Sequence, residues 1–266
     1  MPPAAIISHP PTFVIGDIHG YRDRLAKLLF DAGLVGSDLS WQGAGSHLWF
    51  LGDFCDRGPD GIGVIELVMG LQKRAAAAGG NVSVLLGNHD LLLLAVYEMG
   101  DQLMGSEGVT FREEWLRNGG QVSDLSRLEA RHIAWLKQLA VMAKVEDWLL
   151  LHADSLLYLR HGETVDAINH SFKTILHANN AAAWGAMLTP FATRNAFTGQ
   201  NDAVLTRFLT TFGARWLVHG HTPISTVTGQ APETITAPSV YAGGKCVNVD
   251  GGIYLGGPGF VFELPI

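Results

Sequence analysis

Carboxylates and imidazoles recur in this chain at the ends of short apolar runs. Asp17 and His19 stand in Gly16-Asp17-Ile18-His19-Gly20, and Asp53, Asp56 and Arg57 in Gly52-Asp53-Phe54-Cys55-Asp56-Arg57-Gly58. Asn88 and His89 stand in Gly87-Asn88-His89-Asp90, His152 follows Leu149-Leu150-Leu151, and His221 lies in Gly220-His221-Thr222-Pro223. Imidazole combined with carboxylate and amide oxygen is a donor set for divalent first-row metals such as manganese, iron or zinc, whereas calcium takes more oxygens. Asp53 is the natural centre. One carboxylate with two oxygens can bridge two cations about 3.5–4 Å apart, the separation that clamps the attacking and leaving oxygens of a phosphoester. Arg57 adds a planar fork for phosphate oxygens.

Each segment must then be delivered by the same local architecture. Residues 12–15, 48–51 and 82–86 read as buried strands, and each closes on a polar loop before a helical pattern at 21–32, 62–78 and 91–99 respectively. Strand, loop and helix repeated three times describe an α/β sheet with ligands gathered at the strand ends. Residues 148–151 form a further strand delivering His152, a helical region spans 164–186, and 216–223 repeats strand and loop. Residues 246–264 alternate as the last strands. Between about 100 and 145, the stretches 111–118 and 126–139 look helical, separated by Gly119-Gly120, with Trp115 and Trp135 on buried faces; the whole reads as a helical insertion beside the site.

Composition narrows the partners. The 266 residues, 47% of them hydrophobic, suffice for one domain covering 1–266. A formal charge of -7 and only 16% charged residues leave no basic footprint for nucleic acid, so a substrate phosphate must be attracted locally. Cys55 and Cys246 with no CxxC fit a reducing compartment. The N-terminal stretch lacks the basic start and apolar length of a signal peptide, and no apolar run reaches a membrane span. The expectation is a cytoplasmic protein without membrane partners.

Taken as a set and in this order, GDIHG at 16–20, GDFCDRG at 52–58, GNHD at 87–90, the strand-borne His152 and GHTP at 220–223 resemble the signature blocks of the calcineurin-like metallophosphoesterases, in their phosphoprotein-phosphatase-type bacterial branch. The resemblance covers most of the chain. It implies a four-layer α/β/β/α sandwich. It also implies two divalent metal ions, manganese first with iron or zinc as alternatives: Asp17, His19 and Asp53 would hold one, and Asp53, Asn88, His152 and His221 the other. By the same likeness His89 is the catalytic acid, Asp56 orients it, and Arg57 binds phosphate, with Asn88 close by. The chemistry agrees with these roles, since two metals sharing a hydroxide lower its pKa and aim it at phosphorus. A His paired with a carboxylate can protonate the leaving alkoxide, and Asp56 is expected to keep His89 cationic.

The match departs from the family in places. Serine/threonine phosphatases commonly carry an arginine just before the GNH block, where this chain has Leu86. Arg194, upstream of the GHTP block, is at a distance resembling that of the family's last phosphate-binding arginine. His152 is followed by Ala153-Asp154 instead of two glycines, and His219 offers a second imidazole next to His221. Asp90 reads as an acceptor behind the ligands, and Asp250 resembles the C-terminal block. His9, His47, His132, His161, His170 and His177 match no block and read as solvated or structural. Two substrate classes fit: a phosphoprotein or small phosphomonoester, favoured by the Asp56-Arg57 pair, and a dinucleoside polyphosphate, since GDFCDRGPD and the run 86–96 also resemble the symmetrical dinucleoside tetraphosphatases. A phosphate-binding module without chemistry would show a damaged ligand set, and none is visible.

Overall fold

Period-two alternation within the strands decides how the layers stack. In the computed structural model residues 10–106, 108–199 and 202–266 are described; His9 and the rest of the N-terminal stretch lie outside them. The first half of the chain forms β1 (Thr12–Ile15), α1 (Arg22–Asp31), β2 (His47–Phe50), α2 (Gly61–Ala77), β3 (Asn81–Val84) and α3 (Asn88–Met99). Three short helices follow, α4 (Phe111–Arg117), α5 (Val122–Arg127) and α6 (Ala130–Leu136), then β4 (Met142–Val145) and β5 (Trp148–Leu151). The second half adds α7 (Val165–His177), α8 (Ala181–Phe191), α9 (Asp202–Thr211), β6 (Trp216–His219), α10 (Ile224–Thr228), β7 (Ser239–Tyr241), β8 (Cys246–Asn248) and β9 (Phe262–Glu263).

The strands make two sheets. One has the order β3-β2-β1-β9, parallel except for β9. The other has the order β4-β5-β6-β8-β7, with parallel β5, β6 and β8 inside and antiparallel β4 and β7 at the edges. Val14, Leu51 and Leu85 from the first sheet join Ala143, Trp148, Leu150, Val218 and Val247 from the second in one buried cluster, so the sheets pack face to face. Their alternate residues turn outward. Ile15, Leu48, Phe50 and Val84 belong with Leu25, Leu29, Val64 and Val68 of α1 and α2 to the larger core, and Leu149, Leu151 and Leu217 with Ile168, Phe172 and Leu205 of α7 and α9. The result is helix, sheet, sheet, helix, the four-layer α/β/β/α arrangement expected. Each large side chain buried at these faces contributes about 1.5–3 kcal/mol. β5, covered on both sides, is buried at all four positions.

Local readings changed in four places. Residues 126–139 are two helices, because Leu128 adopts an extended backbone (φ -70°, ψ 117°) between α5 and α6, and Trp135 is only half-buried, donating to Gln72. The stretch to 145 is not wholly helical: Met142–Val145 is an edge strand fixed by pairing with β5, which no local signal announces. The region 164–186 divides at 178–180, where Asn180 caps α8 by accepting from Ala183 N–H. α3 begins at Asn88 because the Asp90 carboxylate accepts from Gly87 N–H at 2.9 Å and closes the first turn early. α9 and β7 had no sequence forecast. Among the described residues no helix is long and apolar enough to cross a membrane.

Candidate metal centre

The loops leaving β1, β2, β3, β5 and β6 converge, and their backbones are held in uncommon conformations. His19, Asp53, Asp56, Arg57 and His221 all have positive φ, from 49° to 68°. Such strain persists only where neighbours over-determine it. Here Ile18 and His19 N–H both donate to Asp53 C=O at 3.0 and 2.9 Å, and Gly20 N–H donates to Phe54 C=O at 2.8 Å. Asp90 then ties the second and third loops, accepting from Asp53 N–H at 2.8 Å and Phe54 N–H at 2.9 Å. Gly52 and Gly87 are required by closeness: a Cβ on Gly52 would lie 2.2 Å from Gly87 N, and one on Gly87 would lie 2.1 Å from Asp53 Oδ1.

Backbone carbonyls fix the tautomer of each imidazole. A carbonyl only accepts, so His152 Nδ1, 2.9 Å from Leu51 C=O, carries the proton and His152 Nε2 is a bare acceptor. By the same reasoning His221 donates from Nε2 to Ala192 C=O at 3.1 Å, leaving Nδ1 bare. Those two nitrogens lie 3.2 Å apart, each within 2.9 Å of Asn88 Oδ1, and His152 Nε2 is 3.5 Å from Asp53 Oδ1. His19 donates from Nδ1 to Cys55 C=O at 3.1 Å, so its Nε2 is the acceptor, 3.8 Å from Asp17 Oδ2 and 3.6 Å from Asp53 Oδ2. Burial pushes all three imidazoles down, His152 to about 3, which keeps them neutral and ready as ligands.

The carboxylates complete the donor set. Burial, then Asp250 and Asp53, hold Asp17 well above the ordinary carboxylate range; burial, then Asp90, do the same to Asp53. Asp17 Oδ1 accepts from His221 N–H at 2.9 Å, while among the described residues no donor reaches its buried Oδ2. Asp250 Oδ2 is likewise buried and unpartnered. Asp53 turns Oδ1 toward His152 and Oδ2 toward His19, and it is the shared member of two possible metal groups, His19–Asp53–His89 and Asp53–His152–His221. Buried acids pressed together, an orphaned oxygen and converging lone pairs are what divalent cations neutralise, so the residues fit metal ions.

His89 and Arg57 occupy the mouth. His89 Nδ1 donates to Asp56 Oδ2 at 2.8 Å, and Trp115 Nε1–H holds the other Asp56 oxygen at 2.8 Å. Burial raises Asp56 to about 7. Burial, then Arg57 and Arg194, press His89 well below its ordinary value, against the expectation that Asp56 keeps it cationic; the loss of hydration in the closed site outweighs the neighbouring carboxyl. Arg57 bridges, with Nη1 3.1 Å from His19 Nε2 and Nη2 3.0 Å from His89 Nε2. His89 thus meets the His19 side of the centre geometrically, where Asp17 was expected as the third ligand.

Arg194 is exposed, yet near enough to depress His89, His152 and His221. Its turn is fastened to the loop after His152. Asp154 Oδ1 accepts from Asn195 N–H at 2.9 Å, Asp154 C=O accepts from Ala196 N–H at 3.0 Å, and Ser155 bonds Thr193 at 2.6 Å. This explains Ala153-Asp154 in place of paired glycines. His219 faces Tyr241 at 2.7 Å, away from the donor cluster. Leu86 is fully buried in the core. Sequence reasoning missed Trp115 as the clamp on Asp56, Asp154 as the anchor of the Arg194 turn, and Tyr254, whose ring lies 4.1 Å beneath the Arg57 guanidinium. Side-chain partners that come from distant loops leave no local signal.

Residues 10–225 match the family model described as Calcineurin-like phosphoesterase. The chain belongs to this family. Its members are metal-dependent with two ions, and the chain's buried His and Asp groups suit that. Relatives named symmetrical bis(5'-nucleosyl)-tetraphosphatase include one from Buchnera aphidicola subsp. Baizongia pistaciae, 32% identical over 40% of this chain and 36% of its own. One from Vibrio campbellii is 28% identical over 53% of this chain and 44% of its own. The matched stretch is thus less than half the length of either relative. Among solved structures, the cold-active protein-tyrosine phosphatase of a psychrophilic Shewanella superposes with a TM-score of 0.74 at 22% identity, covering 97% of this chain and 76% of that one, which establishes the fold.

Proposed function

We propose that the chain hydrolyses phosphoesters on a pair of divalent metal ions, manganese first and iron or zinc as the alternatives. Asp17, His19 and Asp53 would hold one ion and Asp53, Asn88, His152 and His221 the other. The observation that carries this reading is the trio of His152 Nε2, His221 Nδ1 and Asn88 Oδ1, three acceptors within 2.8–3.2 Å of one another with their tautomers fixed from behind. A cation is the partner such a group needs. Bound there, the ions would supply a water of lowered pKa and positive charge for the phosphoryl oxygens.

The remaining work falls to side chains. Arg57 and Arg194 grip the equatorial oxygens with Asn88, where charge grows in the transition state. As Arg57 turns onto phosphate it releases His89 Nε2, which can then take a proton from solvent water and deliver that proton to the leaving oxygen, while Asp56, held by Trp115, keeps the ring in place through Nδ1.

The buried acid device points to a poor leaving group. An alkoxide or phenoxide needs a proton at departure, whereas a nucleotide leaving from a phosphoanhydride does not, so the Asp56–His89 pair favours a phosphomonoester or phosphoprotein substrate. A second reading, a dinucleoside polyphosphate, is supported by the names of the relatives and by a cavity of about 740 Å³ that opens beside Asn88 and is lined by Leu92, Met104, Arg117, Arg160 and Leu188. The test is one competition assay with Mn²⁺, phosphoserine and phosphothreonine peptides and diadenosine tetraphosphate together. Orthophosphate released with the nucleotide intact supports the first reading; ADP as the main product establishes the second; no turnover of either defeats both.

A further inference from the structure

Arg57 is gripped at both ends. Its stem is clamped where it leaves the loop: Arg57 N–H donates to Gly119 C=O at 2.8 Å, and a Cβ on Gly119 would lie only 3.0 Å from Arg57 Cγ. Its head bonds two imidazole nitrogens, His19 Nε2 and His89 Nε2. Both are wanted elsewhere during turnover, the first as a metal ligand and the second for the leaving oxygen. Once they are engaged, the partner that remains to the guanidinium among the described residues is the face of Tyr254, 4.1 Å from the ring centroid to the guanidinium carbon.

We propose that Tyr254 is the positioning residue for Arg57, a stacking platform that keeps the planar fork edge-on to the phosphoryl oxygens when His19 and His89 let go. The inference rests on Arg57 binding phosphate as proposed above. A guanidinium held over the face of an aromatic ring is attracted by the ring's quadrupole and spends no N–H donor on it, so the platform holds the head without competing for hydrogen bonds. The platform sits in a tight, anchored turn. Gly252 (φ 66°) and Gly256 (φ 100°) bracket the short turn Ile253–Leu255, Gly252 N–H donates to Asp250 Oδ1 at 2.9 Å, and Ile253 is buried. The Tyr254 ring also meets His19 edge-on at 4.9 Å between centroids, so one side chain spans the metal side and the phosphate side of the centre. Stacking uses the ring and leaves the hydroxyl aside, which separates this role from proton transfer by the phenol.

The experiment is a double-mutant cycle on the Mn²⁺-loaded enzyme with p-nitrophenyl phosphate, using Y254L, Y254F, R57A and R57A/Y254L, with metal content measured for each. Y254L is expected to lower kcat about 3- to 30-fold, with Y254F within about twofold of the parent. R57A/Y254L should be no worse than R57A alone, since the platform acts only through the arginine. In metal-free, ¹⁵N-arginine-labelled protein the Arg57 Nε–H resonance, shifted by the ring, should move toward the free-arginine position in Y254L and stay in Y254F. Effects of R57A and Y254L that multiply, or a Y254F loss equal to that of Y254L, overturn the platform. An R57A enzyme with undiminished turnover would instead remove Arg57 from phosphate binding and defeat the functional reading beneath it.

Discussion

The two halves of the centre differ in what balances them. On the His152–His221 side, bare nitrogens and an amide oxygen face one another with no donor between them among the described residues. On the His19–His89 side, the Arg57 guanidinium already sits between the two Nε2 atoms. A cation entering the first half relieves repulsion and displaces nothing. One entering the second competes with an arginine for His19. The two ions should therefore load with unequal affinity, the Asn88–His152–His221 position first.

The sharpest way to break that contrast is to delete one imidazole from each half. His152→Ala should remove the tighter ion and lower turnover by about a hundredfold or more at any metal concentration, because a ligand nitrogen held in place by Leu51 C=O is lost. His19→Ala should be partly restored by millimolar Mn²⁺. Equal, metal-independent losses in both variants would erase the distinction between the halves. A step smaller, His89→Ala should keep both ions bound and lower kcat about 10²–10⁴-fold on alkyl phosphates, the range for a positioned general acid. Loss of metal in that variant, measured by mass spectrometry of the dialysed protein, would make His89 a ligand in place of Asp17, as its distance from Asp53 allows.

Proton linkage sharpens the comparison further. Metals bind carboxylates in their ionised form, and burial holds Asp17 and Asp53 well above the usual carboxylate value, whereas the imidazoles are held low and are already neutral. Metal affinity should then rise with pH above that value, and the protons released should come from carboxylates, about tenfold per unit for each proton displaced. For the metal-free chain the same raised values work the other way: the acids favour folding while protonated and lose that contribution as pH climbs through their folded pKa. Calorimetric titration of Mn²⁺ in buffers of different ionisation enthalpy would show the protons; affinity flat above the ordinary carboxylate value would contradict the account. The smallest effect is expected at Asp154. Asp154→Ala frees the Arg194 turn and the Tyr241 hydroxyl without touching a donor, so it should raise KM several-fold and leave metal content intact.

Much of this was legible in the sequence because the loop residues carry their own reasons. Asp17, His19, Asp53, Asn88, His152 and His221 each follow an apolar strand, and strands of one direction bring their ends together without further instruction. The unbroken apolar run Trp148–Leu151 likewise announced a strand, which the fold then shares between two cores, Leu149 and Leu151 on one face and Trp148 and Leu150 on the other. What could not be read depended on pairing across the chain. β4 is a strand because β5 lies beside it. Trp115 was anticipated as buried, but its bond to Asp56 spans 59 residues. Arg57 was read as a phosphate ligand from its type; its bridging of His19 and His89 and its seat on Tyr254 appear only when four loops meet.

The central claim is that Asp53 is shared by two cations. Metal content per chain, determined by mass spectrometry on protein dialysed against Mn²⁺ and assayed in parallel with p-nitrophenyl phosphate, tests it in one comparison. The account predicts two ions per active wild-type chain, and in Asp53→Ala fewer than one ion with turnover abolished. An Asp53→Ala chain that keeps two ions and its phosphatase rate would contradict it.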